Sequence, residues 1–163
     1  QWAGNIAQRF FTRYGQPHYA EENMTDFAEA FSKQLAPNTK VAGKVVMNTL
    51  AMRSRGEYCT DRVVHACLVF VGPATELSHT YKLLKPHLDF LLFQAVFPEL
   101  CLSKKDIETF DADPHEFIHK SNDPSEDYLS PRVPAVNCII DLAKYRGKDI
   151  LPRVRYESRK FSG

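Results

Sequence analysis

The sequence predicts an all-α protein of stacked antiparallel helix pairs, and three observations carry that expectation. Nearly every patterned segment repeats its apolar residues at helical spacing. Strand-type alternation closed by a hairpin turn is missing. Gly or Pro stands at most breaks between the periodic segments.

The first helix is expected from about Trp2 to Arg13, with Trp2, Ile6 and Phe10 on one stripe and Gly15 supplying the terminal cap. A second spans about Thr25 to Leu35 and ends at Ala36-Pro37, because Pro disfavours helix at the residue before it. The third, about Pro37 to Met52, places Val41, Val45, Thr49 and Met52 inward with Val46 and Leu50 beside them, and Arg53 to Tyr58 is a loop. The fourth, about Asp61 to Val71, buries Val63, Val64, Cys67, Leu68 and Val71 and closes at Gly72-Pro73. Two more follow on either side of Pro86, about Glu76 to Lys85 and His87 to Phe97. The second carries Leu88, Leu91, Leu92, Ala95 and Val96 and is the most buried element expected.

Beyond Pro98 the segments shorten. Ser103 caps a helix to about Phe110, and Asp113 starts another with Pro114 at its first position and Glu116 three residues on. A polar loop, Lys120 to Leu129, leads to Ser130-Pro131 and a last helix to about Arg146, with Val136, Ile139, Ile140 and Ala143 inward and Gly147 after it. After Pro152 no period is clear. The expected division is therefore a segment of three to four helix pairs over 1–152 and a basic, poorly ordered tail over 153–163. Residue-by-residue repetition is absent, which fits degenerate repeats of an α-α superhelix and leaves a compact helical bundle open.

Composition narrows the function. At 44% hydrophobic the chain has ample material for a core, and a formal net charge of +1 gives no global field for nucleic acid or anionic membrane. The longest apolar stretch, His87 to Leu102, is broken by Asp89, Gln94, Pro98 and Glu99, so a soluble chain without membrane insertion is expected. Cys59, Cys67, Cys101 and Cys138 form no close pair, and a reducing compartment follows. No signal peptide is visible, and the missing initiator Met suggests a chain that begins within a longer protein.

No residue is assigned a catalytic, cofactor-binding or metal-binding role, and no cofactor is expected. Asp111, Asp113, His115 and Glu116 have the composition of a cation site, yet Asp113 and Glu116 are spaced to cap a helix, and no second ligand pair stands elsewhere. His65 and Cys67, two apart, point to different faces of a helix and do not share an ion. Phosphate loops, nucleophile elbows and H-E-x-x-H are absent, so an enzyme is not expected. Arg153, Arg155, Arg159 and Lys160, with Tyr156 and Phe161 between them, are the one basic-aromatic cluster. The neutral remainder argues against nucleic-acid binding through it.

Three stretches resemble a known family: Trp2-Ala3 through Phe10-Phe11-Thr12-Arg13-Tyr14-Gly15; Leu84-Lys85-Pro86-His87-Leu88-Asp89-Phe90-Leu91-Leu92-Phe93 with Val96-Phe97-Pro98; and Asp113-Pro114-His115-Glu116-Phe117-Ile118 followed by Glu126-Asp127 and Leu129-Ser130-Pro131-Arg132. In order and spacing they resemble the central region of importin-β superfamily (karyopherin-β) nuclear transport receptors of the importin seven/eight branch, over about Trp2 to Pro152. The resemblance implies HEAT repeats in an armadillo-type solenoid. It also implies cargo proteins, Ran in its GTP form and nuclear pore proteins as partners, and residence in cytoplasm, nucleus and nuclear envelope. Two features depart from the family: the neutral charge, and a segment from Arg153 to Gly163 that lacks the helical pattern expected there.

Overall fold

The computed structural model describes residues 43–76, 78–121 and 130–160, so the helices expected at Trp2–Arg13 and Thr25–Leu35 lie outside the described residues. Helices account for almost all of the described chain, and no strand occurs among these residues.

Helix α1 (43–54) ends in a turn at Gly56, whose φ of 74° places it in the left-handed region. Its orientation corrects the sequence reading. Leu50 is buried with Val46 and Met47 packed against the core, while Val45 and Met52 are 60% and 38% exposed. The cause is Arg53, which shares the Val46–Leu50 side and is drawn inward by Glu99 (2.9 Å), Asp61 (2.9 Å) and the Cys59 carbonyl (3.1 Å).

Helix α2 (Asp61–Glu76) runs on through Gly72-Pro73, where a stop was expected. Val71, Gly72, Ala74 and Thr75 are all buried, and tertiary packing of that last turn outweighs the bond lost at Pro73. The Thr75 hydroxyl donates to the Gly72 carbonyl (2.7 Å) and the Thr80 hydroxyl to that of Ala74 (2.7 Å). Val63 is 44% exposed, not buried.

The expected break at Pro86 is only a change of winding. Helix α3 (Ser78–Leu84) passes through a 3₁₀ turn (Lys85–His87) into α4 (Leu88–Phe90), a π-helical stretch (Leu91–Val96) and α5 (Phe97–Leu100). The wider π turn precedes Pro98, whose ring would otherwise press on the carbonyl four residues back. Leu88, Leu91, Leu92, Ala95 and Val96 are buried as the sequence predicts.

Helices α6 (Lys104–Ala112) and α7 (Pro114–Ser121) form a short hairpin. Ser103 and Asp106 make a reciprocal capping box, and Asp113 accepts from the N–H groups of His115 (2.9 Å) and Glu116 (3.1 Å). Helix α8 (Arg132–Lys160) is longer than expected. It continues through Pro152, with one non-helical residue, Arg146, at a kink. Its buried stripe is Ala135, Cys138 and Leu142, while Val136 and Ile140 are 43% and 55% exposed and Ala143 also faces solvent. The smaller residues line the contact because α2 approaches closely. A Cβ added at Gly72 would stand 2.9 Å from Asp141 Oδ2.

The register of α8 defines the architecture. Going along α2, His65 meets Ser130, Gly72 meets Asp141 and Thr75 meets Arg146, so α2 and the first half of α8 run parallel. That half runs antiparallel to 78–100, since Arg132 reaches the Cys101 carbonyl and Arg146 reaches Tyr81. Past the kink the direction reverses: Asp149 meets Tyr81 and Lys85, and Arg153 meets Asp89. Two antiparallel helix pairs, 61–100 and 132–160, therefore stack in register, as in a HEAT-like α-α superhelix, with the α6–α7 hairpin between them in sequence.

Candidate functional site: the polar seam between helix pairs

The stacking surface has an apolar floor and a polar edge. Leu50, Val64, Leu68, Val71, Leu88, Leu91, Leu92, Ala135, Cys138 and Leu142 belong to one buried cluster, which joins both pairs. Along its edge, residues at helical spacing on α3–α4 (Tyr81, Lys85, Asp89) face residues at helical spacing on α8 (Arg146, Asp149, Arg153).

Arg146 is the centre of this edge. Its Nε donates to the Thr75 carbonyl (2.9 Å) and its Nη2 to that of Glu76 (2.7 Å). These are final-turn carbonyls of α2, which have no partner within their own helix, and a cation there also complements the helix dipole. The same guanidinium lies 4.4 Å from the Tyr81 ring centroid. The Tyr81 hydroxyl donates to Asp149 Oδ2 (2.7 Å), Lys85 Nζ donates to Asp149 Oδ1 (3.1 Å), and Arg153 pairs with Asp89. Burial, with the hydrogen bond to Asp149, pushes the Tyr81 hydroxyl up to about 12. The Tyr81 hydroxyl and then Lys85 hold the Asp149 carboxyl below its ordinary value.

A second set of contacts closes the other end. His65 Nδ1 lies 2.8 Å from the Ser130 carbonyl, and Arg132 Nη2 reaches the Cys101 carbonyl (3.1 Å) and Asp106 (3.2 Å). Burial raises the Asp106 carboxyl, but bonds from the Ser103 N–H and hydroxyl and the charge of Arg132 outweigh it, so the net shift is downward. Every group named in the seam is engaged in holding helices together. None stands as a nucleophile beside a base.

The residues singled out from sequence fall as follows. Asp113 is a helix cap, and among the described residues no group of three His, Cys, Asp or Glu side chains is placed to hold a metal ion. Half-buried His65 points at the start of α8 rather than to solvent, while Cys67 lies in the core. Burial pushes the Cys67 thiol up to about 11 and the Cys138 thiol up to about 12, which suppresses the thiolate at neutral pH. The basic cluster is divided: Arg153 turns into the seam, Arg155, Tyr156 and Arg159 are exposed on α8, and the Lys160 side chain and Phe161 lie outside the described residues. Sequence reasoning missed Arg146, Tyr81 and Asp149. The available signal was the matching spacing of 81, 85 and 89 with 146, 149 and 153.

No described helix is long and apolar enough to cross a membrane. Curated proteins match the chain along almost its whole length. An importin beta-like SAD2 homolog of Arabidopsis thaliana is 32% identical over 153 residues, covering 94% of this chain and 15% of that protein. Importin-8 of Homo sapiens is 30% identical over 154 residues, covering 94% and 14%. A probable importin-7 homolog of Dictyostelium discoideum is 28% identical over 102 residues, covering 63% and 10%. The chain thus spans about 15% of the length of the first of these relatives. No family model matches it, and no solved structure matches it significantly.

Proposed function

We propose, from the premise that this chain is importin-β-like over 94% of its length, that it serves as a section of the helical stack of a nuclear transport receptor. In this reading the receptor binds cargo proteins and Ran in its GTP form, imports cargo into the nucleus, and moves between cytoplasm and nucleus through contacts with nuclear pore proteins. The observation that carries the proposal is the match across nearly the whole chain to proteins named as importins. The stacked pairs support it, because a solenoid binds through extended surfaces held at a fixed pitch, with no covalent step. Arg146 and its neighbours set that pitch between 61–100 and 132–160.

The test is affinity capture by the longest chain that contains this segment, comparing Ran loaded with GTP against Ran loaded with GDP. Selective retention of the GTP form, with release of prebound cargo, is the expected result. Cargo loading by the GTP form would make it an export receptor. Absence of nucleotide discrimination would reduce the function to a helical protein-interaction scaffold.

A further inference from the structure

The second half of α8 carries two sides of different chemistry. Ile150 is buried and Val154 packs against the core, with half-buried Glu157 following at the same helical spacing. On the opposite side Lys148, Leu151, Pro152, Arg155 and Arg159 recur at helical spacing and all are exposed, with Tyr156 beside them. Leu151 and Tyr156 are each 64% exposed. From Lys144 to Arg159 six Lys or Arg residues stand against two acids, and the seam already takes Asp149 together with Arg146 and Arg153. The other acid is Glu157, so the outer positions of this half include no carboxylate. The side chains of Lys148 and Arg159 make no hydrogen bond or ion pair among the described residues.

A cation in the last turn favours the helix dipole, which accounts for Arg159 but not for Lys148 or Arg155. Arg155 and Arg159, four residues apart, repel one another. Nor does this side suit a further dry helix contact, because unpaired charges buried there would lose their hydration. We propose that the Lys148–Arg159 face of α8 is a docking surface for an acidic amphipathic segment of another protein. Carboxylates of that segment meet Lys148, Arg155 and Arg159, and its apolar side chains cover Leu151 and Tyr156. The missing side chain at Gly147 leaves room for them: beyond the backbone of its own helix, a Cβ added there would meet only a methyl group of Leu151, at 3.9 Å. Charge complementarity selects an anionic occupant. The apolar centre favours a peptide over a nucleic acid, whose phosphate backbone would leave Leu151 uncovered. The inference stands on α8 alone, so its failure leaves the transport reading intact.

The experiment titrates the 163-residue chain with a fluorescent amphipathic peptide of glutamate and leucine, alongside its lysine-for-glutamate counterpart and a single-stranded oligonucleotide. Lys148→Glu, Arg159→Glu and Leu151→Ser alter exposed positions, and far-UV circular dichroism checks that each variant remains folded. The expected result is binding of the glutamate peptide over its counterpart, reduced by salt and weakened roughly tenfold by Lys148→Glu combined with Arg159→Glu. Leu151→Ser also weakens it, whereas Lys44→Glu combined with Lys105→Glu, which reverses two exposed cations on α1 and α6, leaves it unchanged. Equal binding of both peptides, or equal weakening by the two charge-reversed pairs, overturns the proposal, because only net charge would then be read. So does tighter binding of the oligonucleotide with Leu151→Ser inert, because the face would then take phosphate.

Discussion

The guanidinium of Arg146 lies 4.4 Å from the ring centroid of Tyr81 while it donates to the Thr75 and Glu76 carbonyls, so one side chain joins α2, α3 and α8. Arg146 is also the one residue of α8 with non-helical backbone angles, φ −132° and ψ 25°. The bend and the clamp therefore occur together. Arg146→Ala is expected to cost about 2 kcal/mol, because two carbonyls lose a charged donor and the ring loses its cation. Arg146→Lys retains the charge but not the two-pronged geometry and is expected to recover less than half. Urea unfolding of the three proteins checks this, and equal stability of all three would show the clamp to be incidental.

The close approach at Gly72 predicts graded steric effects. A methyl group at Gly72 meets only the Asp141 carboxylate, which can turn aside, so Gly72→Ala is expected to be nearly neutral. Gly72→Val adds bulk where α8 packs and is expected to cost about 2 kcal/mol. Thermal unfolding of both variants distinguishes this contact from an open surface, where the two would differ little.

Two kinds of carboxylate oppose one another in pH dependence. Asp149 and Asp106 titrate below their ordinary value of 3.8, so they contribute stability above that pH and lose it as pH falls through their folded range. Asp141 titrates above 3.8, chiefly through burial, with Lys144 lowering it and Glu76 raising it. Its contribution is therefore present at low pH and lost as pH rises through the carboxylate range. Asp149→Asn should flatten the loss of stability on acidification, whereas Asp141→Asn should raise stability at pH 7 relative to pH 4. Chemical unfolding at pH 7 and pH 4 reads the Asp141 sign, and extending the series from pH 4 to about pH 2.5 reads the Asp149 sign.

Thiol chemistry separates surface from core. Cys101 is exposed, while Cys67 and Cys138 are buried with raised thiol values. A disulfide reagent at pH 8 is expected to modify Cys101 in the native protein and Cys67 and Cys138 only after denaturant is added. Rapid native modification of Cys138 would contradict the α2–α8 packing.

Helix existence was legible in the sequence wherever the period was strong, as in the run from Leu88 to Val96, whose five predicted core residues are all buried. Helix rotation was less legible. The Val136–Ile140 stripe is more hydrophobic than Ala135–Cys138, yet the smaller residues face inward because close helix approach rewards small volume. In α1, the polar anchor Arg53 decides which of two adjacent apolar stripes is buried. Pro73, Pro86, Pro98 and Pro152 were read as punctuation, but packing carries the helical path through all four. Arg146 was read as a helix end because Gly147 follows it. Its contacts arise from residues about seventy positions away, and nothing local in the sequence announces them.

Spin labels attached at exposed positions 63, 133 and 144, in a chain whose Cys59 and Cys101 are replaced by Ser, test the stacked register most directly. The parallel course of α2 and the first half of α8 predicts a short 63–133 distance and a clearly longer 63–144 distance, because position 144 lies eleven residues, about 16 Å, further along the helix axis. The reverse order, with 144 nearer to 63 than 133, would contradict the account of two helix pairs stacked in register.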